Sequence, residues 1–156
     1  MFYARSGEGK DKSFHTPLFH VHCVFCRIAR GAEHACIVHR GENVIAFLDK
    51  YPVSLGHTLI APLEHYSDVF EVPERVLAEM IVAAKLVASA QKLSLGATGV
   101  KLVMNNGREA GQEVFHAHLH VIPYGVARLG RRELRAEECE EVAGALREAI
   151  GRLSRR

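Results

Sequence analysis

The sequence predicts an α+β fold, an antiparallel sheet carrying one long helix and a C-terminal helix. Three observations lead there. Short apolar runs with strand character are parted by turn residues; two longer runs repeat at helical spacing; and the segment Phe115–Val121 alternates strictly between histidine and apolar residues. Strands lie both before and after the first helical run instead of alternating with helices, which favours helices packed on an antiparallel sheet over a doubly wound parallel one.

The elements follow in chain order. Residues 1–21 carry Gly7, Gly9 and mixed charges without a period, so they read as an N-terminal arm whose His15 and His20 have no assigned role. A short helical turn is expected after the pair Cys23 and Cys26. Ala35–His39 and Val44–Asp49, parted by Arg40-Gly41-Glu42-Asn43, predict a β-hairpin, and His57–Ala61 a third strand. Pro73 suits a first helical position, and Leu77, Met80, Ile81, Ala84, Val87 and Ala88 then recur at helical spacing until Gly96. Val100–Met104 and Val114–Ile122 predict two more strands. Glu137–Leu153 places Val142, Leu146, Ile150 and Leu153 on one helical face, with acids early and arginines late, as the helix dipole favours.

With 156 residues, 48% of them hydrophobic, the chain can bury one core without cross-links. The expected division is an arm over 1–21, a main domain over 22–130 and a C-terminal helix over 131–156. A net charge of +2 with acids and bases interspersed gives no pull toward nucleic acid. No apolar run reaches membrane-spanning length and no leader is visible, so a cytoplasmic protein is expected. Of the four cysteines, Cys36 and Cys139 read as isolated thiols in apolar or helical settings, which fits a reducing compartment. Cys23 and Cys26 have the spacing of two metal ligands, or of a redox pair.

In an extended strand His116, His118 and His120 share one face, and Phe115, Ala117, Leu119 and Val121 form an apolar stripe on the other. Pro123 is expected to end the pairing. Three imidazoles on one small surface are hard to explain by packing. His-Ala-His-Leu-His-Val-Ile resembles, position by position, the His-φ-His-φ-His-φ-φ motif of the histidine-triad (HIT) family of nucleotide hydrolases and transferases. Cys23–Ile28, Ala46–Asp49, Gly56–Pro62 and the Gly111-Gln112 pair extend the likeness over roughly residues 23–124.

The resemblance implies a HIT-like fold and cleavage of nucleoside 5′-phosphoramidates or dinucleoside polyphosphates through a covalent nucleotidyl-histidine. It makes His118 the nucleophile, flanked by His57, His120 and Gln112. Asp49 becomes the ribose partner, Asn105, Glu113 and Val114 the phosphate neighbours, and Phe25, Ile28, Phe47 and Leu48 the apolar slot for a base of an AMP- or GMP-containing substrate. His65 and His116 complete, with Cys23 and Cys26, a structural zinc site. Family members are usually homodimers joined through the long helix and an adjacent strand. The chain departs from the pattern where relatives carry Ser or Thr after the glutamine, which here is Glu113. It departs again at Gly31-Ala32-Glu33-His34, where relatives commonly read Gly-Glu-Ile-Pro. Two rivals stand beside the enzyme: a nucleotide-binding scaffold with little turnover, and a hydrolase whose histidines hold a catalytic metal.

Overall fold

The computed structural model describes residues 20–156; His15 and most of the expected arm lie outside them. The sheet has five antiparallel strands in the order β1-β2-β3-β5-β4: β1 Ile37–Arg40, β2 Val44–Leu48, β3 Thr58–Pro62, β4 Gly99–Val103 and β5 Leu119–Tyr124. The helices are α1 Val24–Ala29, α2 Glu74–Leu95 and α3 Ala136–Leu153.

All five residues of β2, and all five of β3, are buried, because both faces of the central sheet are covered. The strand period of two sorts them. Val44, Ala46, Leu48, Ile60, Leu119 and Val121 join the core beneath α2 and α3, together with Met80, Ala84, Val87 and Leu146. Ile45, Phe47, Leu59 and Ala61 face the opposite way and are covered by Phe25 and Ile28 of α1. The register pairs Leu59 with His120, which sets the functional groups on the α1 face.

Helix α2 stops at Gly96, whose φ of 72° is the left-handed cap conformation that glycine reaches without a Cβ penalty. Within it the buried Gln91 donates to the carbonyls of Gly56 and Val121 at 2.9 and 3.1 Å. Those bonds tie the helix to the turn preceding His57 and to β5.

Several expectations need correction. The last strand begins at Leu119, not Val114, because the Ala117 amide donates to the Tyr66 carbonyl (2.7 Å) and not to a neighbouring strand. Pro123 does not end the pairing: it lies within β5 opposite Val100, where its carbonyl accepts from the Ser54 hydroxyl at 2.6 Å. Ala117, Leu119 and Val121 do form a buried stripe, but Phe115 is 43% exposed, with the Arg108 guanidinium over its ring. Ile81 is likewise exposed on α2. The first helix starts at Val24, so Cys26 lies inside it. Cys36 and Cys139 are not isolated thiols; they form a disulfide that joins the start of the sheet to α3 across 103 residues. Their sequence distance concealed the pairing.

Candidate active site and metal centre

Two adjoining clusters occupy the α1 face. In the first, Cys23, Cys26, His65 and His116 converge, with their ligand atoms all within 4.8 Å of one another. Cys26 Sγ lies 3.3 Å from His65 Nδ1 and 3.5 Å from His116 Nδ1, and Cys23 Sγ lies 3.5 Å from His116 Nδ1. Tetrahedral zinc, with its usual bonds to sulfur and nitrogen, separates such ligands by about 3.6 Å. His116 Nε2–H donates to the Pro62 carbonyl at 2.9 Å, which turns Nδ1 toward the thiols, the orientation that outer partners impose on metal-binding imidazoles. The donor set therefore fits zinc. His20 stacks on His65, with centroids 4.4 Å apart, a contact not foreseen from the sequence.

In the second cluster the hydrogen-bond partners set each ring's tautomer. His118 is buried, and its Nδ1–H donates to the His116 carbonyl at 2.7 Å, so the neutral ring keeps a lone pair on Nε2. The Val53 amide donates to His57 Nδ1 at 3.1 Å. A neutral His57 then carries its proton on Nε2, which faces His120 Nδ1 at 2.9 Å. His120 in turn carries its proton on Nε2. A backbone amide thus starts a relay through two imidazoles and leaves a donor at its far end, with the His118 and His120 rings 4.9 Å apart.

Burial is the main cause that holds His57 and His120 down at about 4, with neighbouring positive charge from Arg131 or the other histidines adding to it. Burial also lowers His118. All three are neutral near pH 7. Asp49 sits beside the relay: Oδ1 accepts from the Tyr51 amide at 2.8 Å, and Oδ2 is 3.5 Å from His57 Nε2. His120 is the nearer partner of that nitrogen. Burial raises the Asp49 carboxyl above its ordinary value.

The loop before the triad is built on Gln112. Its Oε1 accepts from Gly107 N–H at 2.8 Å, and its Nε2 donates to the carbonyls of Ser67 (2.6 Å) and Val114 (3.1 Å). The amide shapes the loop through these three bonds. Gly111 has a φ of 89°, and a Cβ there would meet the Asn105 amide at 3.8 Å, so the Asn105 side chain adjoins this loop. Asn106 is structural, accepting from Val69 N–H at 2.8 Å. Glu113 is exposed and ion-paired with Arg131 at 3.3 Å. Phe25, Ile28 and Phe47 pack together with Val114, whereas Leu48 points into the core on the other side of the sheet and leaves the expected base slot. Phe25 stands edge-on to His118, with centroids 5.0 Å apart. The parity of Phe47 and Leu48 within one strand carried that distinction; the roles of the Val53 amide and the Pro62 carbonyl had no signal in residue identity.

An α+β fold with three alternate histidines leading into its last strand, beside a Cys₂His₂ cluster, defines the histidine-triad class. The HIT domain pattern matches residues 30–125, and the chain belongs to the HIT family. A HIT-like protein of Saccharolobus solfataricus is 42% identical over 101 residues, spanning 65% of this chain and 73% of that protein. The adenylylsulfatase HINT3 of Arabidopsis thaliana is 37% identical over 118 residues, 76% of this chain and 58% of that one. A zinc-bound histidine-triad protein from Mycobacterium smegmatis superposes with a TM-score of 0.79 at 35% identity, covering 87% of this chain and 98% of that one. Among the described residues no helix is long and apolar enough to cross a membrane.

Proposed function

We propose that this protein hydrolyses or transfers nucleoside 5′-monophosphates from AMP- or GMP-containing substrates through a nucleotidyl-His118 intermediate. The observation that carries the reading is the 2.7 Å bond from His118 Nδ1–H to the His116 carbonyl, because it leaves Nε2 as an aimed nucleophile. His118 Nε2 attacks the α-phosphorus; an N–P bond forms as the bond to the leaving group breaks, and the leaving group departs with the electron pair. An amine leaving group takes a proton from His120 Nε2–H, and the attacking water or phosphate returns one to that nitrogen in the second step. Water or phosphate then attacks phosphorus, the N–P bond breaks, and the imidazole is restored. Backbone amides of Gly111–Val114 and the Asn105 side chain stabilise the phosphoryl oxygens. Asp49 accepts from the ribose hydroxyls, and Phe25, Ile28 and Phe47 contact the base.

Cys23, Cys26, His65 and His116 would hold a structural zinc in a closed set of four ligands, anchoring α1 to the triad segment. The zinc-bound Mycobacterium smegmatis relative supports this assignment. The adenylylsulfatase relative supports adenylyl transfer to water and widens the leaving groups to sulfate. Exposed Ile81 and Val82 on α2 and Leu102 on the edge strand β4 support a homodimer through that helix and strand.

The test is turnover, followed by mass spectrometry, of adenosine and guanosine 5′-phosphoramidates, dinucleoside polyphosphates and adenosine 5′-phosphosulfate. Release of the nucleoside monophosphate is expected. Tight binding of all of them without release would establish the scaffold reading instead. A second reading, a metal hydrolase, draws on the convergence of Asp49, His57 and His120 within 4.8 Å. It requires two metal ions per chain where the first requires one.

A further inference from the structure

Arg131 pairs with Glu113 in the loop that precedes the triad. It is the one non-glycine residue with positive φ among those described, at 63°, following Gly130 at 58°. An arginine in that conformation costs energy that glycine or asparagine would largely avoid, so its side chain is not chosen for the turn. The turn is laced to the segment that orients His57. Arg131 N–H donates to the Pro52 carbonyl at 2.9 Å, and Leu129 N–H to that of Val53, also at 2.9 Å. Val53 is the residue whose amide starts the histidine relay. The backbone at Arg131 is therefore fixed relative to the triad, while its side chain is exposed.

Its charge reaches the chemistry. Arg131 helps keep His57 and His120 neutral and favours the ionised form of Asp49. Its partner Glu113 follows Gln112 in the loop that leads into the triad. The Glu113–Arg131 pair thus bridges two loops that flank the nucleophile. An exposed pair of this kind is weak, so an anion on a substrate can displace the carboxylate from the guanidinium.

We infer that Arg131 forms the subsite for an anionic leaving group, a sulfate or phosphate joined to the nucleoside 5′-phosphate, with Glu113 as the counter-ion it exchanges. The inference rests on the proposed nucleotidyl transfer. The two kinds of leaving group make different demands. When the P–O bond to sulfate breaks, the oxygen leaves with the electron pair as a stable dianion that needs no proton but gains from a cation. When a P–N bond breaks, the amine needs a proton from His120 and gains nothing from Arg131.

The experiment measures kcat/KM for adenosine 5′-phosphosulfate, ADP and adenosine 5′-phosphoramidate on wild type, Arg131→Gln, Arg131→Lys and Glu113→Gln, with thermal melts to establish folding. The expected result is a drop of at least about tenfold in the anion-to-amine ratio for Arg131→Gln, since a charge-assisted contact is lost. Arg131→Lys recovers part of the ratio, and Glu113→Gln raises it. Phosphosulfate and ADP report separately whether the subsite serves sulfate, phosphate or both. An Arg131→Gln ratio within twofold of wild type overturns the subsite, as does an equal loss on all three substrates in both Arg131 variants. If wild type releases AMP from none of the three, the nucleotidyl-transfer reading falls and the subsite with it; release from the phosphoramidate with an unchanged ratio removes the subsite alone.

Discussion

Asp49 is placed between two duties, and its geometry makes them separable. One oxygen is taken by the Tyr51 amide, and the other lies 3.5 Å from His57, beyond the 2.9 Å at which His120 engages the same nitrogen. It is thus available to ribose. Asp49→Ala is expected to weaken nucleotide binding by roughly 1–3 kcal/mol, the cost of leaving the ribose hydroxyls without their acceptor. Calorimetry on 2′,3′-dideoxy ligands checks the assignment: the loss should shrink there, and equal losses would mean that Asp49 serves His57 instead. At this scale the triad, the two thiols and Asp49 were legible because their chemistry resides in residue identity at fixed spacing. The tautomers were not, since they are set by the Val53 amide and the His116 and Pro62 carbonyls, which any residue could supply.

Among the elements, α1 and α3 are each attached by a cluster of sulfur chemistry. If zinc binds Cys23, Cys26, His65 and His116, its binding energy contributes to folding. Cys23→Ser and Cys26→Ser should then lower Tm and abolish the content of about one zinc per chain, with residual turnover at permissive temperature. Elemental analysis finding no zinc in wild type would exclude this. Helix α3 lies beyond the family match, which ends at residue 125, and is held by Cys36–Cys139 as well as by buried Val142, Leu146 and Ile150. Closing a loop of this length stabilises by about 4.7 kcal/mol in the chain-entropy account. Cys139→Ser should lower the denaturation midpoint under oxidising conditions, and reductant should bring wild type down to the same value. Identical midpoints throughout would show that packing alone holds the helix. The strand and helix periods gave six of these elements almost to their ends. Alternation alone does not make a paired strand: residues 114–116 bend, and the Ala117 amide bonds to the Tyr66 carbonyl, a partner only tertiary structure provides.

For the molecule as a whole, the buried neutral histidines predict acid sensitivity of a definite sign. His57 and His120 are held at about 4 against an ordinary 6.5, so between those values the unfolded chain binds more protons than the folded one. The stability they contribute is fully present above pH 6.5 and is lost as pH falls through 4, on the order of 2 kcal/mol or more. The raised Asp49 works the other way near the carboxylate range and offsets part of the loss. Denaturation midpoints at pH 7.5, 5.5 and 4.5 test this, and His57→Phe should show a shallower fall than wild type. An equal slope in the two would remove His57 from the account. The α+β class and the antiparallel sheet were legible because both follow from the order of local periods. The two-sided burial of the sheet, which puts Phe47 at the site and Leu48 in the core, depends on where α1 returns to cover it.

The central claim is that His118 forms a covalent bond to phosphorus. Rapid acid-free quenching of wild type during turnover, followed by intact-mass and peptide mapping, measures it most directly. A nucleoside monophosphate adduct on His118, stable to base and labile to acid, is expected. His118→Gly, inactive alone, should regain partial turnover of an activated nucleotide when free imidazole fills the cavity. A fully active His118→Ala enzyme with no adduct in wild type would contradict it and favour the metal-hydrolase reading.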